Sequence, residues 1–322
     1  MTFTDFLQLL TDGLVLGSMY GLIAVGYTMV YGILQIINFA HGEIFMLGGF
    51  GALFVYAWVP ALHETSLWVA LPVMLIVGVL LAVTAAVAAE RFAYRPLRTA
   101  PRLAPLISAI GLSLFLQQVV FNFFTLPGES VGITAPVPFP QLDGGPLRLG
   151  GVTVSYAAIL TLVVAAGAMT GLTYFVGRTR TGRAMQATAQ DPKTARLMGI
   201  DTDRVIVVAF AIGAVLAAVA CLTQGLRLGS ISYNMGFIAG LKGFTAAVLG
   251  GIGNIRGAVL GGVVLGVAES LASGLLPHVP SLQMFGGAVW KDVWAFVILI
   301  AVLLIRPQGL LGERIADRAR PT

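Results

Sequence analysis

Apolar residues in this chain gather in long runs, separated by short stretches rich in charge, proline or glycine. The runs lie near 6–32, 34–57, 67–89, 103–125, 153–176, 205–226, 236–254, 257–276 and 291–305. At about 1.5 Å per residue, helices of this length reach across a hydrocarbon core of roughly 30 Å, although the seventh and the last are short. The pattern predicts an all-α polytopic membrane protein of eight or nine transmembrane helices. Glycines and polar residues interrupt the first two runs, so one of them is expected to be broken or re-entrant. Gly17, Gly21, Gly26 and Gly32 offer small surfaces on which a neighbouring helix can pack closely. The stretch 127–150, PGESVGITAPVPFPQLDGGPLRLG, is too dense in Pro and Gly for a helix and reads as an external loop, with PVPFP extended.

Composition agrees with this pattern. Of 322 residues, 57% are hydrophobic and 10% are charged, against about a quarter charged in soluble domains. One membrane domain, 1–322, is expected, with the helix spans themselves replacing a water-excluding core. The opening MTFTDFLQLLTDG carries Asp5 and Asp12 and lacks a basic n-region, so the first helix is expected to be retained. Cys221 is the single cysteine, set among apolar residues; it reads as a packing residue and allows neither an internal disulfide nor a Cys-based metal site.

A net charge of +5 would by itself admit nucleic acid as a partner, but the placement of the charges argues against it. The segments 90–102, 177–204 and 305–322 hold 14 of the 19 Lys and Arg. Segments that basic stay on the cytoplasmic face, which also puts the C-terminus there. The stretches 58–66, 127–150 and 277–289 are poor in Lys and Arg and belong outside.

The basic segment 177–204 has internal structure. Asp191 is a good N-cap, Pro192 suits the first helical position, and Gly199 suits the left-handed residue that ends a helix. A short helix over 192–198 follows, with a second helical piece in TGRAMQATAQ and with Asp201 or Thr202 capping the next span. A solvated basic loop that only orients the protein needs no caps at both ends. Nor does it need the apolar surface of Leu197, Met198 and Ile200, which suits a docking element for another protein.

Some polar residues fall inside apolar runs or at the junction of two: Asn38, His41 and Glu43 in IINFAHGEIFMLGG, then Lys242, Asn254, Arg256 and Glu269. An isolated charge at the centre of a lipid-facing helix costs roughly 3 kcal/mol or more, so these groups face a partner or water. Two roles fit: internal pairing, for example Glu43 with Lys242, or the lining of a hydrated path or gate where Asn38 and His41 meet a zwitterion. In this reading Gly42 permits a helix break, and Gly48 and Gly49 allow tight packing beyond it. An internal echo links INFAHGEIFMLGG with GNIRGAVLGG at 253–262 and predicts a repeat, whose hand the residues leave open.

Several blocks in fixed order, GLIAVGYTMVYGILQIINFAHGEIFMLGG, ERFAYRPLR, LISAIGLSLFLQ, GRAMQATAQDPKTARLMGIDTDRV and LKGFTAAVLGGIGNIRGAVLGGVVLGVAES, resemble the permease subunit of branched-chain amino acid ABC importers. The resemblance covers nearly the whole chain, least well the loop 127–150. It implies an inner-membrane subunit that pairs with a homologous second permease, two cytoplasmic ATPase subunits and a periplasmic binding protein. It also implies that 182–200 is a coupling element in the ATPase groove, carried by Gly182, Arg183, Gln190, Asp191, Pro192, Ala195, Leu197, Met198, Gly199 and Ile200. Gln190 stands where many members of that family carry a glutamate, which weakens any expectation of a particular salt bridge there.

The chain has no G-x-x-x-x-G-K-[ST], so ATP and Mg²⁺ are expected on the partners and no cofactor or metal on this chain. GGFG at 48–51 and GGIG at 250–253 lack the following lysine. No H-E-x-x-H and no G-x-S-x-G occurs, which leaves an intramembrane enzyme without a catalytic constellation. Branched-chain or related small amino acids are the expected cargo, with urea, short amides and other amino acids as alternatives. A stand-alone channel or secondary transporter is the competing machine, and it would have no use for the capped cytoplasmic helix.

Overall fold

The structure, a computed structural model, describes residues 2–98, 100–101, 103–127, 132–133, 135–142, 144–279, 283–287 and 290–312. Among these, nine apolar α-helices fall where the nine apolar runs lie. They are α1 (Phe3–Leu34), α2 (His41–Trp58), α3 (Leu67–Ala88), α4 (Leu103–Phe123), α5 (Tyr156–Arg178), α8 (Thr202–Leu228), α9 (Met235–Gly250), α10 (Ile255–Leu275) and α11 (Lys291–Ile305). Two polar helices, α6 (Arg180–Gln190) and α7 (Pro192–Leu197), sit between α5 and α8. With their short extensions, α1, α3, α4, α5, α8 and α10 are long and apolar enough to cross a membrane. The 16-residue α9 and the 15-residue α11 are shorter.

α1 and α8 lie at the centre: 83% and 72% of their most apolar stretches are buried, against 22% for α4 and for α5. α1 sets Gly13 and Gly17 against the backbone of α10, whereas α4 turns Ile107, Leu114 and Phe115 outward. Glycines also let the backbones of α1 and α10 approach closely. A Cβ on Gly266 would lie 2.2 Å from the Gly17 nitrogen, and one on Gly262 would lie 2.4 Å from that of Gly21. Gly48 meets Ala218 on α8, and Gly49 meets the buried Cys221, which is a packing residue here.

Local chemistry sets the helix ends. Thr2 and Asp5 form a reciprocal capping box at the start of α1, Ser155 caps α5, and Asp201 caps α8. Two expected boundaries move: the second span, expected from 34, starts at His41, and residues 153–154 belong not to the fifth span but to a hairpin of β2 (Leu147–Leu149) with β3 (Val152–Val154). Gln8 bonds Thr153 in both directions, at 2.8 and 3.0 Å, and so holds the N-terminal end of α1 beside this hairpin. β1 (Val137–Pro138), in the proline-rich stretch, pairs with β4 (Ser230–Ile231) just after α8. The molecule therefore has a hairpin end and an α6–α7 end, with α1 running from the first to the second.

α3 carries one feature absent from the sequence reading. Its last turn widens into a π-helical turn, Ala89–Tyr94, followed by a tight 3₁₀ turn, Arg95–Leu97.

Candidate functional site

The polar stretch between α1 and α2 builds the first part of the site. α1 stops where Gln35 takes the left-handed conformation, φ 53° and ψ 28°, the one non-glycine with positive φ among the described residues. Residues 35–38 run without helix, and α2 starts at His41. The break therefore precedes Gly42, which is an ordinary helical residue of the first turn of α2. Its missing side chain serves a crossing instead, because a Cβ there would sit 2.2 Å from the Gly236 carbonyl oxygen of α9.

Asn38, His41 and Glu43 are all buried. Tyr94 donates its hydroxyl to Asn38 Oδ1 at 2.5 Å, and Ser113 of α4 donates to Glu43 Oε1 at 3.1 Å. The His41 ring meets Tyr27 edge to face at 4.8 Å. Asn38 Nδ2, His41 Nε2 and Glu43 Oε2 have no hydrogen-bond partner among the described residues. Such concentrated unmet hydrogen-bonding capacity is rare in a packed interior, where buried polar groups are nearly always paired.

Lys242 and Glu269 lie apart from that cluster. The expected Glu43–Lys242 pair does not form. Lys242 Nζ instead reaches Glu269 at 2.9 Å and Asp292 at 2.6 Å, and Tyr20 donates to Glu269 at 3.0 Å. This network ties α1, α9, α10 and α11 together. Asp292 opens the short α11 and was not singled out from the sequence, because only the fold brings it beside α9.

Asn254 and Arg256 begin α10 at the α6–α7 end. Asn254 accepts the backbone N–H groups of Arg256 and Gly257 at 3.0 and 3.2 Å and donates to the Leu311 carbonyl at 2.9 Å. Both residues line a cavity of about 970 Å³, together with Tyr31, Gln35, Gln186 and Gln190. Its polar lining is mostly amide, with Arg256 as the cation. Beyond Tyr31 and Ile252 the space narrows to about 10 Å³ among Tyr27, Ile37, Phe244 and Ala247, roughly one water. Phe39 joins this constriction, 5.9 Å from Phe244 between ring centres. An aromatic plug thus separates the cavity from His41, the ring neighbour of Tyr27. Neither the cavity nor the plug was legible in the sequence, since their residues come from five separate helices and loops.

At the same end, α7 has the caps its sequence predicts. Asp191 accepts from the N–H groups of Lys193 and Thr194 at 2.9 and 3.2 Å and from the Thr194 hydroxyl at 2.5 Å. These bonds, that of the hydroxyl first, hold its carboxyl below the usual carboxylate range. Pro192 is the first helical residue, and Gly199 is left-handed at φ 83°. Ala195 is buried and Ile200 half-buried, its N–H bonded to the Ala195 carbonyl at 3.0 Å. Leu197 and Met198 are 87% and 78% exposed, an apolar tip on a rigid base. Gly182 seats α6 on the end of α5, where a Cβ would lie 2.4 Å from the Phe175 carbonyl oxygen. Arg183 and Gln190 are exposed, and Gln190 also borders the cavity.

Comparison with known proteins places this geometry in context. Residues 9–303 match the family described as branched-chain amino acid transport system / permease component. The chain is 45% identical to the high-affinity branched-chain amino acid transport system permease protein BraD of Pseudomonas aeruginosa, over 96% of both chains. It is 43% identical to the corresponding protein LivH of Escherichia coli, over 97% of both. Among solved structures, PsaBC from Streptococcus pneumoniae in complex with Fab superposes with a TM-score of 0.50 at 12% identity, covering 94% of this chain and 92% of that one, a likeness of fold.

Proposed function

The chain belongs to the branched-chain amino acid transport permease family, as the membrane-spanning permease of an ABC importer; on that premise we propose how it is assembled and driven. The observation that carries the proposal is the pairing, at one end of the molecule, of a polar cavity with a capped helix whose apolar tip is exposed among the described residues.

In this reading the α6–α7 end is cytoplasmic, in keeping with its basic residues, and the C-terminus lies there too. The hairpin end, with the start of α1, faces outward. The permease pairs with a homologous second permease, and a periplasmic binding protein delivers substrate at the hairpin end. Two ATPase subunits take the coupling element: Leu197 and Met198 enter the ATPase groove, and Arg183 and Gln190 flank it. Gly182, Asp191, Pro192, Ala195, Gly199 and Ile200 keep that element rigid. ATP and Mg²⁺ are handled by those subunits, and this chain needs no cofactor or metal of its own.

The cavity is then the inward-facing part of the path, with Asn254 and Arg256 at its mouth and the aromatic plug as its closed inner gate. Behind the plug, Asn38, His41 and Glu43 offer unsatisfied polar atoms to a zwitterion, while Gly42 keeps α2 against α9. Lys242 and Glu269 hold the helices around this path. A branched-chain amino acid suits it, with a charged head for the polar cluster and an aliphatic tail for the plug. Switching between the outward and inward openings requires each ligand to bind the two states with different affinity.

Co-purification tests the proposal. The permease is expected to come out with two P-loop subunits. Replacing 192–198 by a Gly/Ser linker should abolish that complex while the linker variant still inserts in the membrane. A complex that survives the linker overturns the assignment of α7.

A further inference from the structure

An unbroken series of side-chain contacts runs from α7 to the α1–α2 junction. Arg196, on α7, donates to the Thr202 hydroxyl at 2.6 Å and lies 3.6 Å from Asp203. Asp203, in the first turn of α8, also accepts from Arg95 and, at 2.6 Å, from Arg98. Arg98 reaches back to the buried Glu90. Glu90 belongs to the π-helical turn that ends α3, and Tyr94 closes that turn. The Tyr94 ring is buried 5.5 Å from that of Phe210 on α8, and its hydroxyl holds Asn38.

A π turn inside a helix is a recognised device, since relaxing it to α geometry shifts the register beyond it by one residue. Each residue past the shift turns by about 100° around the axis. Here that rotation would take Tyr94 off Asn38 and move Arg95 and Arg98 against Asp203. Relaxation of the turn would therefore give it a second discrete arrangement, and a coupling element needs two. Its present register is held at both ends, by Arg98 and Asp203 on the α7 side and by Asn38 on the other.

We propose that Tyr94 is a positioning residue: through the π turn it sets the conformation of the α1–α2 junction, and so of Asn38, according to where α7 stands. The proposal rests on the reading of α6–α7 as the ATPase-docking element.

The test uses the full complex in proteoliposomes, with leucine and its binding protein as the probe, and measures leucine moved per ATP hydrolysed. Tyr94→Phe removes one hydroxyl and is expected to lower that ratio about five-fold, the worth of one hydrogen bond, without reducing the yield of complex. Asp203→Asn should lower it similarly, and the double variant should fall no further than either single one. Spin labels at the exposed Lys193 of α7 and at Gln35, in a Cys221→Ser background, give a second readout. In Tyr94→Phe the ATP-driven displacement at 193 should persist and that at 35 should be lost. Should Tyr94→Phe assemble poorly, Asp203→Asn carries the same two measurements. A wild-type ratio in the single variants, multiplying losses in the double, or an unchanged displacement at 35 overturns the proposal. The docking reading fails separately, in a wild-type complex whose yield is indifferent to the 192–198 linker.

Discussion

Glu43 and His41 make the sharpest residue-level prediction, because each presents a buried polar atom that has no hydrogen-bond partner among the described residues. If those atoms serve passing substrate, Glu43→Ala and His41→Ala should each cut leucine uptake about ten-fold or more, the scale of one lost buried polar contact. The amount of assembled complex should hold. Uptake in membrane vesicles, normalised to complex, decides the matter, and wild-type rates in both variants remove these positions from the path. Lys242 calls for the opposite outcome. Lys242→Met leaves Glu269 buried without its cation, a loss of about 3–5 kcal/mol for such a pair. It should lower the melting temperature in detergent, and Lys242→Met with Glu269→Gln should recover most of it. A single variant as stable as wild type would mean that the network is not a lock.

At the scale of elements, the contact between α1 and α10 depends on glycine at the crossing. Gly262→Leu would put a branched side chain against the Gly21 backbone, and overpacking of this kind costs about 1–3 kcal/mol or more. The variant should accumulate poorly in the membrane, as quantitative immunoblotting would reveal, whereas Gly111→Leu, where a Cβ meets nothing, should accumulate normally. The cap of α7 has an acid limit. The Asp191 carboxyl is held below its ordinary range, so its contribution is complete above that range and is lost as pH falls through the lowered value. Limited proteolysis within 192–198 should therefore rise in strong acid in the native protein, and it should be high at neutral pH in Asp191→Ala.

These elements differ in how far the sequence disclosed them. The nine apolar helices and both caps of α7 follow from local chemistry, a run of apolar residues or an Asp-Pro followed by a glycine, and, the start of α2 apart, they stand within a few residues of where they were expected. The π turn at Ala89–Tyr94 and the β1–β4 pairing are met by partners far along the chain, and no local pattern marks them or the left-handed Gln35. The same division runs through the site. The polar residues were visible as anomalies in apolar runs, but the partners of Lys242 and the walls of the cavity exist only once α9, α10 and α11 are in place.

For the molecule as a whole, the stretch that follows α11 folds back onto α9. The N–H groups of Leu310 and Leu311 bond to the carbonyls of Leu249 and Gly250 at 2.8 and 2.9 Å, and Pro307, Gln308 and Gly312 border the large cavity. The tail thus works as a clasp that finishes α9 and floors the chamber. A stop codon placed directly after Ile305 would undo both jobs at once, whereas a purification tag appended beyond Gly312 leaves the clasp shut.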